Sequence, residues 1–481
     1  MNLLMRNTPG EAASSVKAVL AGITFLSLSL PLSAQNVPSG PAVDSIPAAW
    51  QYTSDHYTTL PSEDNWWAGF DDPVLTKLIE MGESNSFDLS AAAHRIEMAR
   101  RTMEITRAGY SPTIGVSAGW NASRSSGALT TPTVPGNNTS FFNLGLNFSW
   151  EVDLFGRIRE QSKADKAQYN ATKAEYSAAM ISLSSNIAQA YINLRLAQAR
   201  IEVAKRQIQT QERISKITQA RYETGLASKL DVTQALTVLY TTQANLPGLE
   251  NSEGTALNSL ALLIGVYPDQ IADLVQQPHK ELNPFRMVSI GVPSDLIRRR
   301  PDILEAEHEL AAYAAQIGIA KKDFLPTLTL NGSIGTEAHE VKDLFSKHSF
   351  TYSVAPSLSW TVFEGLARNK RVAYAKEQML AGIDNYNMTV MNAVIETENA
   401  LGAYDTSLKQ ISLMKKVVTE SQESFELAVD RYKRGLSAFT DVMNSLVTVL
   451  DNENSLLQTR ANALTTLINV YAAVAGSPTD N

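Results

Sequence analysis

The sequence predicts an α+β membrane protein built from two structural repeats, and three observations carry that prediction: an internal duplication, four segments that alternate apolar and polar residues, and helical runs far longer than a globular core requires. Of the 481 residues 44% are hydrophobic and 19% charged, enough for a sizeable core. No stretch past the N-terminus approaches the ~18 consecutive apolar residues of a spanning helix, so any membrane crossing must use strands.

The duplication is read from Ala220-Arg221-Tyr222-Glu223-Thr224-Gly225-Leu226, which returns as Asp430-Arg431-Tyr432-Lys433-Arg434-Gly435-Leu436. Asp231-Val232 and Asp441-Val442 follow at the same distance, giving one offset of 210 residues (435 − 225 and 441 − 231). Ser149-Trp150 and Ser359-Trp360 keep that offset, while Pro112-Thr113 and Pro326-Thr327 are 214 apart (326 − 112), the mark of a loop insertion.

In chain order, the first element is an export signal: Arg6 and Lys17, the apolar run Val19 to Leu32, then Ser33-Ala34-Gln35, with cleavage expected after Ala34. Helical segments near Asp88 to Arg107 and Asp302 to Asp323 lead into the strands and stop before Pro112 and Pro326. In the first hairpin, Ile114, Val116, Ala118 and Trp120 alternate with Gly115, Ser117, Gly119 and Asn121; in its partner strand, Phe142, Leu144, Leu146, Phe148 and Trp150 alternate with Asn143, Gly145, Asn147 and Ser149. The second half repeats the plan with Leu328, Leu330, Gly332 and Ile334, then with Tyr352, Val354, Pro356, Leu358, Trp360 and Val362. A soluble sandwich alternates in the same way. Strand length, near absence of charge, and Trp150 and Trp360 at strand ends favour a membrane barrel with interfacial aromatics.

From Arg157 to Thr224 there is neither proline nor glycine, and from Ala367 to Arg434 only Gly382 and Gly402 interrupt. Ile187, Leu194, Ile201 and Ile208 fall seven apart, the spacing of a helix packed along a neighbour. A long coiled coil shares this pattern but lacks the hairpins. Each rod ends at Gly225 or Gly435 and restarts with Ser228 or Ser437 as candidate cap and Asp231 or Asp441 in the new first turn. Four strands are too few for a barrel, and an open sheet in lipid leaves edge groups unsatisfied, so copies must join.

Two stretches carry a family resemblance. Trp66-Trp67-Ala68-Gly69-Phe70-Asp71-Asp72-Pro73-Val74-Leu75 with Ala93-His94-Arg95-Ile96 resembles the opening of TolC-like outer-membrane factors. Pro293-Ser294-Asp295-Leu296-Ile297-Arg298-Arg299-Arg300-Pro301-Asp302, followed by Ile317-Gly318-Ile319-Ala320-Lys321, is similar to the signature of their efflux branch, NodT-like or OprM-like. The resemblance implies a trimer in which each protomer gives four strands to a 12-stranded β-barrel and long helices to a periplasmic α-helical barrel. It implies as partners a periplasmic adaptor and an inner-membrane pump of the resistance-nodulation-division type, with outer-membrane lipid around the barrel. It implies an exit duct that passively conducts drugs or other small molecules. It places a pore constriction at Asp231, Asp441 and Tyr432, with the Tyr432 hydroxyl bonded across to Asp231, and adaptor contacts at Gly225, Leu226, Gly435 and Leu436. Asn444 stands where such channels carry a second acid, and Ser437 where they carry an arginine. The Arg298 to Arg300 run is expected to fasten the equatorial region.

The partition that follows is a signal peptide at 1–34, an N-terminal equatorial segment at 35–87 and a first repeat at 88–265, with strands about 112–123 and 141–152 and helices about 157–224 and 228–264. An equatorial linker spans 266–300, a second repeat 301–476 has strands about 326–336 and 350–362 and helices about 366–434 and 438–475, and 477–481 is a short tail.

Other classes fare worse. The chain is acidic, with net charge −8 and dispersed Lys and Arg, which argues against a nucleic-acid partner. It has no cysteine, so disulfides, thiolate metal sites and the usual lipid attachment point are excluded, and anchoring is expected from the barrel alone. Six scattered histidines make no HExxH spacing and no catalytic constellation, so neither enzyme activity nor cofactor is expected. A type I protein-secretion channel and a non-channel coiled-coil surface assembly remain as alternatives.

Overall fold

The computed structural model of the chain describes residues 46–52, 55–58, 65–129, 135–277 and 283–474. The expected export signal lies outside them. Two hairpins form one antiparallel sheet: β2 (Thr113–Arg124), β3 (Asn138–Val152), β5 (Thr327–Ala338) and β6 (Phe350–Ser359), in that spatial order. A short parallel pair, β1 (Tyr57–Thr58) with β4 (Val288–Ser289), lies elsewhere. The last strand ends at Ser359, so Trp360 and Val362 lie beyond it and not within it as the alternation suggests.

Register decides the two faces of the sheet. Ile114 stands opposite Phe148, Val116 opposite Leu146 and Trp120 opposite Phe142, while Ile334 pairs with both Leu146 and Tyr352. Every one of these points to one apolar face, on which Val116 is 75% exposed and Val354 71%. The other face is polar and internally bonded: Asn147 Nδ2 donates to Ser117 Oγ at 2.8 Å, Ser149 Oγ to Asn331 Oδ1 at 2.9 Å, and the Ser333 and Ser353 hydroxyls lie 3.0 Å apart. Where the repeats meet, Gly145 faces Gly335, and a Cβ on Gly335 would sit 2.7 Å from the Gly145 Cα, so only glycine permits this approach.

The helices run in chain order as α1 (Pro73–Asn85), α2 (Phe87–Ala108), α3 (Arg157–Glu223), α4 (Lys229–Ile264), α5 (Asp269–Val275), α6 (Pro293–Arg299), α7 (Pro301–Lys322), α8 (Ala367–Lys433) and α9 (Phe439–Val474). The two rods, α3 and α8, are 67 residues each, about 100 Å at ~1.5 Å per residue. Each packs against its returning helix, and α3 also packs on α9, which joins the repeats. No described helix is long and apolar enough to cross a membrane.

The expected heptad seam holds at Ile187, Leu194 and Ile201, all buried, and then drifts. Ile208 is half-exposed while Gln207 and Gln211 are buried in its place. An α-helix of 3.6 residues per turn slips against a strict seven-residue repeat, which brings these neighbours onto the seam. Their amide nitrogens are used: Gln211 Nε2 donates to Thr242 Oγ1 at 2.9 Å, and Glu453 on α9 accepts from both Gln207 and Gln422.

The main core lies midway along the rods, where Leu75, Leu78, Ile187, Tyr191, Leu260, Leu401, Tyr404 and Leu467 meet. Trp66 belongs to it, stacked on Tyr471 at 5.4 Å. Asp72 is buried, capping α1 through Val74 N and Leu75 N and accepting from the Tyr191 hydroxyl at 2.8 Å. The Tyr404 hydroxyl donates to the Pro284 carbonyl at 2.6 Å, and burial pushes it up to about 12. Arg300 fastens three elements, as expected of the arginine run: it forks onto Asp302 at 3.0 and 2.7 Å, reaches Glu396 on α8 at 2.7 Å, and donates to the Ala473 carbonyl near the end of α9 at 3.0 Å.

Where helices meet the sheet, Lys322 Nζ donates to the Gly156 carbonyl at 2.9 Å and to Glu160 at 3.0 Å, tying the end of α7 to the start of α3. Burial alone would raise Glu160, but Lys322 and Lys163 outweigh it and hold the carboxyl below its ordinary value. A folded-state value below the unfolded one stabilises in full above the ordinary carboxylate range, about 4.3, and that contribution is lost as pH falls through the depressed value. Thermal midpoints measured from pH 6 downwards should therefore show an acid-side fall that is shallower in Lys322→Met than in the parent.

Candidate functional site

The repeated segments form two helix turns at one end of the rods. In the first, α3 closes with the Gly225 amide bonded to the Tyr222 carbonyl at 3.0 Å and the Leu226 amide to the Arg221 carbonyl at 2.7 Å. The second copies it, with Gly435 to Tyr432 at 2.9 Å and Leu436 to Arg431 at 2.8 Å. Gly225 and Gly435 sit at φ +74° and +75°, the left-handed region that a Cβ disfavours by roughly 1–2 kcal/mol. Leu226 and Leu436 follow immediately, 66% and 65% exposed, so each turn presents a leucine outward.

The restarts differ. At α4, Ser228 and Asp231 form a reciprocal capping box: Asp231 N donates to Ser228 Oγ at 3.2 Å and Ser228 N to Asp231 Oδ2 at 3.1 Å. At α9 the expected cap Ser437 stands one residue too early. Ala438 takes the position equivalent to Ser228, Asp441 N reaches only its carbonyl, and the Ser437 hydroxyl is buried without a hydrogen-bond partner among the described residues. Asp231 is thus engaged in a cap, whereas Asp441 stays exposed in its first turn with Asn444 exposed three residues on.

Tyr432 does not bond to Asp231 as the resemblance implies. Its ring is 6% exposed, packed 5.3 Å from Phe439 within a cluster of Ile214, Ala235, Val442 and Leu446, and its hydroxyl has no partner among the described residues. The ring instead lies under Arg221, with 4.7 Å from guanidinium carbon to ring centre. Arg221 spans the two turns, donating through Nη1 to the Lys433 carbonyl at 2.7 Å and through Nη2 to the Leu226 carbonyl at 3.3 Å. Sequence reasoning did not assign this residue a role. The signal was present, since an Arg-Tyr pair opens both copies of the repeated segment, but repetition does not reveal which way a side chain points.

Far from the turns, Trp150 and Trp360 occupy equivalent places at the junction of sheet and helices. Trp150 Nε1 donates to the Tyr110 carbonyl at 3.0 Å and Trp360 Nε1 to the Phe324 carbonyl at 2.9 Å, each fastening the connector that enters the neighbouring strand. No group of His, Cys, Asp and Glu among the described residues is arranged to hold a metal.

The unequal caps give a paired expectation. Ser228→Ala should lower, and Ala438→Ser should raise, the free energy of unfolding by about 1 kcal/mol, the ordinary worth of an N-cap, read from denaturant midpoints of the detergent-extracted protein.

Comparison with known proteins agrees with this architecture along most of the chain. The solvent efflux pump outer membrane protein SrpC of Pseudomonas putida is 29% identical over 419 residues, covering 87% of this chain and 88% of its own. The solved outer-membrane channel OprN superposes with a TM-score of 0.82 at 28% identity, covering 92% of this chain and 98% of that one. The outer membrane protein VceC of Vibrio cholerae superposes at 0.78 with 26% identity, covering 86% and 99%. These are proteins of outer-membrane transport and not enzymes. The outer membrane efflux protein family matches residues 78–266 and 292–476, which take in both repeats, and the chain belongs to that family.

Proposed function

We propose that three copies of this chain close a 12-stranded barrel in the outer membrane and a periplasmic tube of twelve helices, forming the exit duct of a tripartite efflux system. The duct passively conducts drugs or other small molecules delivered by an inner-membrane pump of the resistance-nodulation-division type through a periplasmic adaptor. The observation that carries this reading is the sheet: an exposed apolar face, a hydrogen-bonded polar face, and free edges at β2 and β6. Strands of 12 residues at ~3.4 Å per residue, tilted by ~40°, give a height of about 30 Å, which matches the hydrocarbon layer. In that setting the apolar face meets lipid, the Asn, Ser and Gly face lines water, and each free edge is satisfied by the next copy. Trp150 and Trp360 then mark one membrane boundary.

The paired turns form the periplasmic tip in this reading. Asp231, Asp441, Tyr432 and Asn444 surround its constriction, and Leu226 and Leu436, carried on Gly225 and Gly435, meet the adaptor. Two exposed leucines on rigid turns suit an apolar contact that a buried charge would disrupt.

Deletion of the gene should raise drug susceptibility without changing the profile of secreted proteins. Complementation with Leu226→Glu, Leu436→Glu should leave susceptibility near that of the deletion even though the protein reaches the outer membrane in normal amount. Loss of a secreted protein with unchanged susceptibility would count against efflux.

A further inference from the structure

The two turns of one chain are joined by Arg221, and the duplication supplies a second arginine for which the single chain has no use. Offset by 210 residues, Arg431 corresponds to Arg221, Tyr432 to Tyr222, and Lys433 to Glu223 (431 − 221, 432 − 222, 433 − 223). Within the chain the two members of each pair are used differently. Arg221 covers the Tyr432 ring and bonds the Lys433 carbonyl, whereas Arg431 is exposed and Tyr222 is 40% exposed. Among the described residues no hydrogen bond or ion pair engages the Arg431 guanidinium.

We propose that Arg431 clamps the tip of a second copy of the chain, lying over that copy's Tyr222 ring and donating to its Glu223 carbonyl. The inference rests on the oligomeric duct proposed above and adds which residues hold its seams and which seam parts. Repeats alternate around such a ring, so the α3-on-α9 packing within a chain recurs as α8 of one copy on α4 of the next. That contact brings Arg431 to the exposed Tyr222 ring.

The two seams are chemically unequal. Inside the chain the arginine sits on an apolar cluster of Ile214, Ala235, Tyr432, Phe439, Val442 and Leu446. Moved by the offset, Ile214 becomes Ser424, Ala235 becomes Ser445 and Phe439 becomes Lys229 of the neighbouring copy. Lys229 already lies over Tyr222, its Nζ 5.5 Å from the ring centre, so a cation stands where the inner seam has an aromatic ring. Val442 and Leu446 become Val232 and Leu236, so the seam between copies keeps some apolar contact but is more polar, and with two cations on one ring it is weaker than the inner one. The tip therefore parts between copies, and each chain's pair of turns moves as one body.

The absence of cysteine makes a direct test available. Treated with a short bismaleimide in the outer membrane, the Tyr222→Cys, Arg431→Cys variant should give dimer and trimer bands on a denaturing gel. The Arg221→Cys, Tyr432→Cys pair should give monomer only, since its bridge lies within one chain. Monomer bands from both pairs overturn the clamp. In planar bilayers Arg431→Met should raise the resting conductance several-fold, with Arg431→Lys in between. An unchanged conductance in Arg431→Met also overturns it. If the cross-linked ladder appears but no form of the protein conducts, the proposed duct fails and the contact between copies stands.

Discussion

A backbone amide or carbonyl left unpaired in hydrocarbon costs several kcal/mol, and most of this molecule follows from that constraint. Among the described residues four strands are of membrane length, with one face apolar throughout, and the outer edges of β2 and β6 are open. Such a sheet is stable in lipid only when another copy completes it. In the proposed barrel the polar face, with its bonded Asn and Ser side chains, is the wall of a wet interior and not a packed core. The Gly145–Gly335 pair lets the two hairpins approach closely where the repeats join.

The rods extend the same logic into water. Sixty-seven residues without a break are stabilised less by propensity than by burial along a partner, which is why α3 and α8 each run beside a returning helix. Midway, the fold is fastened by two polar groups with several partners each: Asp72 under Tyr191 and the α1 amides, Arg300 among Asp302, Glu396 and the Ala473 carbonyl. At the far end fastening is sparse, with one small apolar cluster and one arginine. Stability concentrated at the middle and thin at the turns suits the opening tip proposed above.

Much of this was legible in the residues. Period-two alternation located both hairpins, the missing prolines and glycines located the rods, and the repeated Gly225 and Gly435 located two turns that share a left-handed φ. Features that depend on a one-residue phase were not legible. Ser437 reads as a cap but falls one place before the cap position, and Ile208 reads as a seam residue but yields to Gln207 and Gln211 as the helix slips. Side-chain direction was equally hidden. The hydrogen bond from Tyr432 to Asp231 gives way to a ring held under Arg221, and Trp150 and Trp360 donate to the connectors of neighbouring strands.

The central claim is that copies of this chain enclose a water-filled path through the outer membrane. The most direct test is single-channel recording of the purified, detergent-extracted protein in a planar bilayer. A small, steady conductance from a particle with three times the mass of the chain is the result expected of a duct narrowed at its tip. A folded, membrane-inserted particle that passes no current under any applied voltage would contradict the account and favour a non-channel coiled-coil assembly.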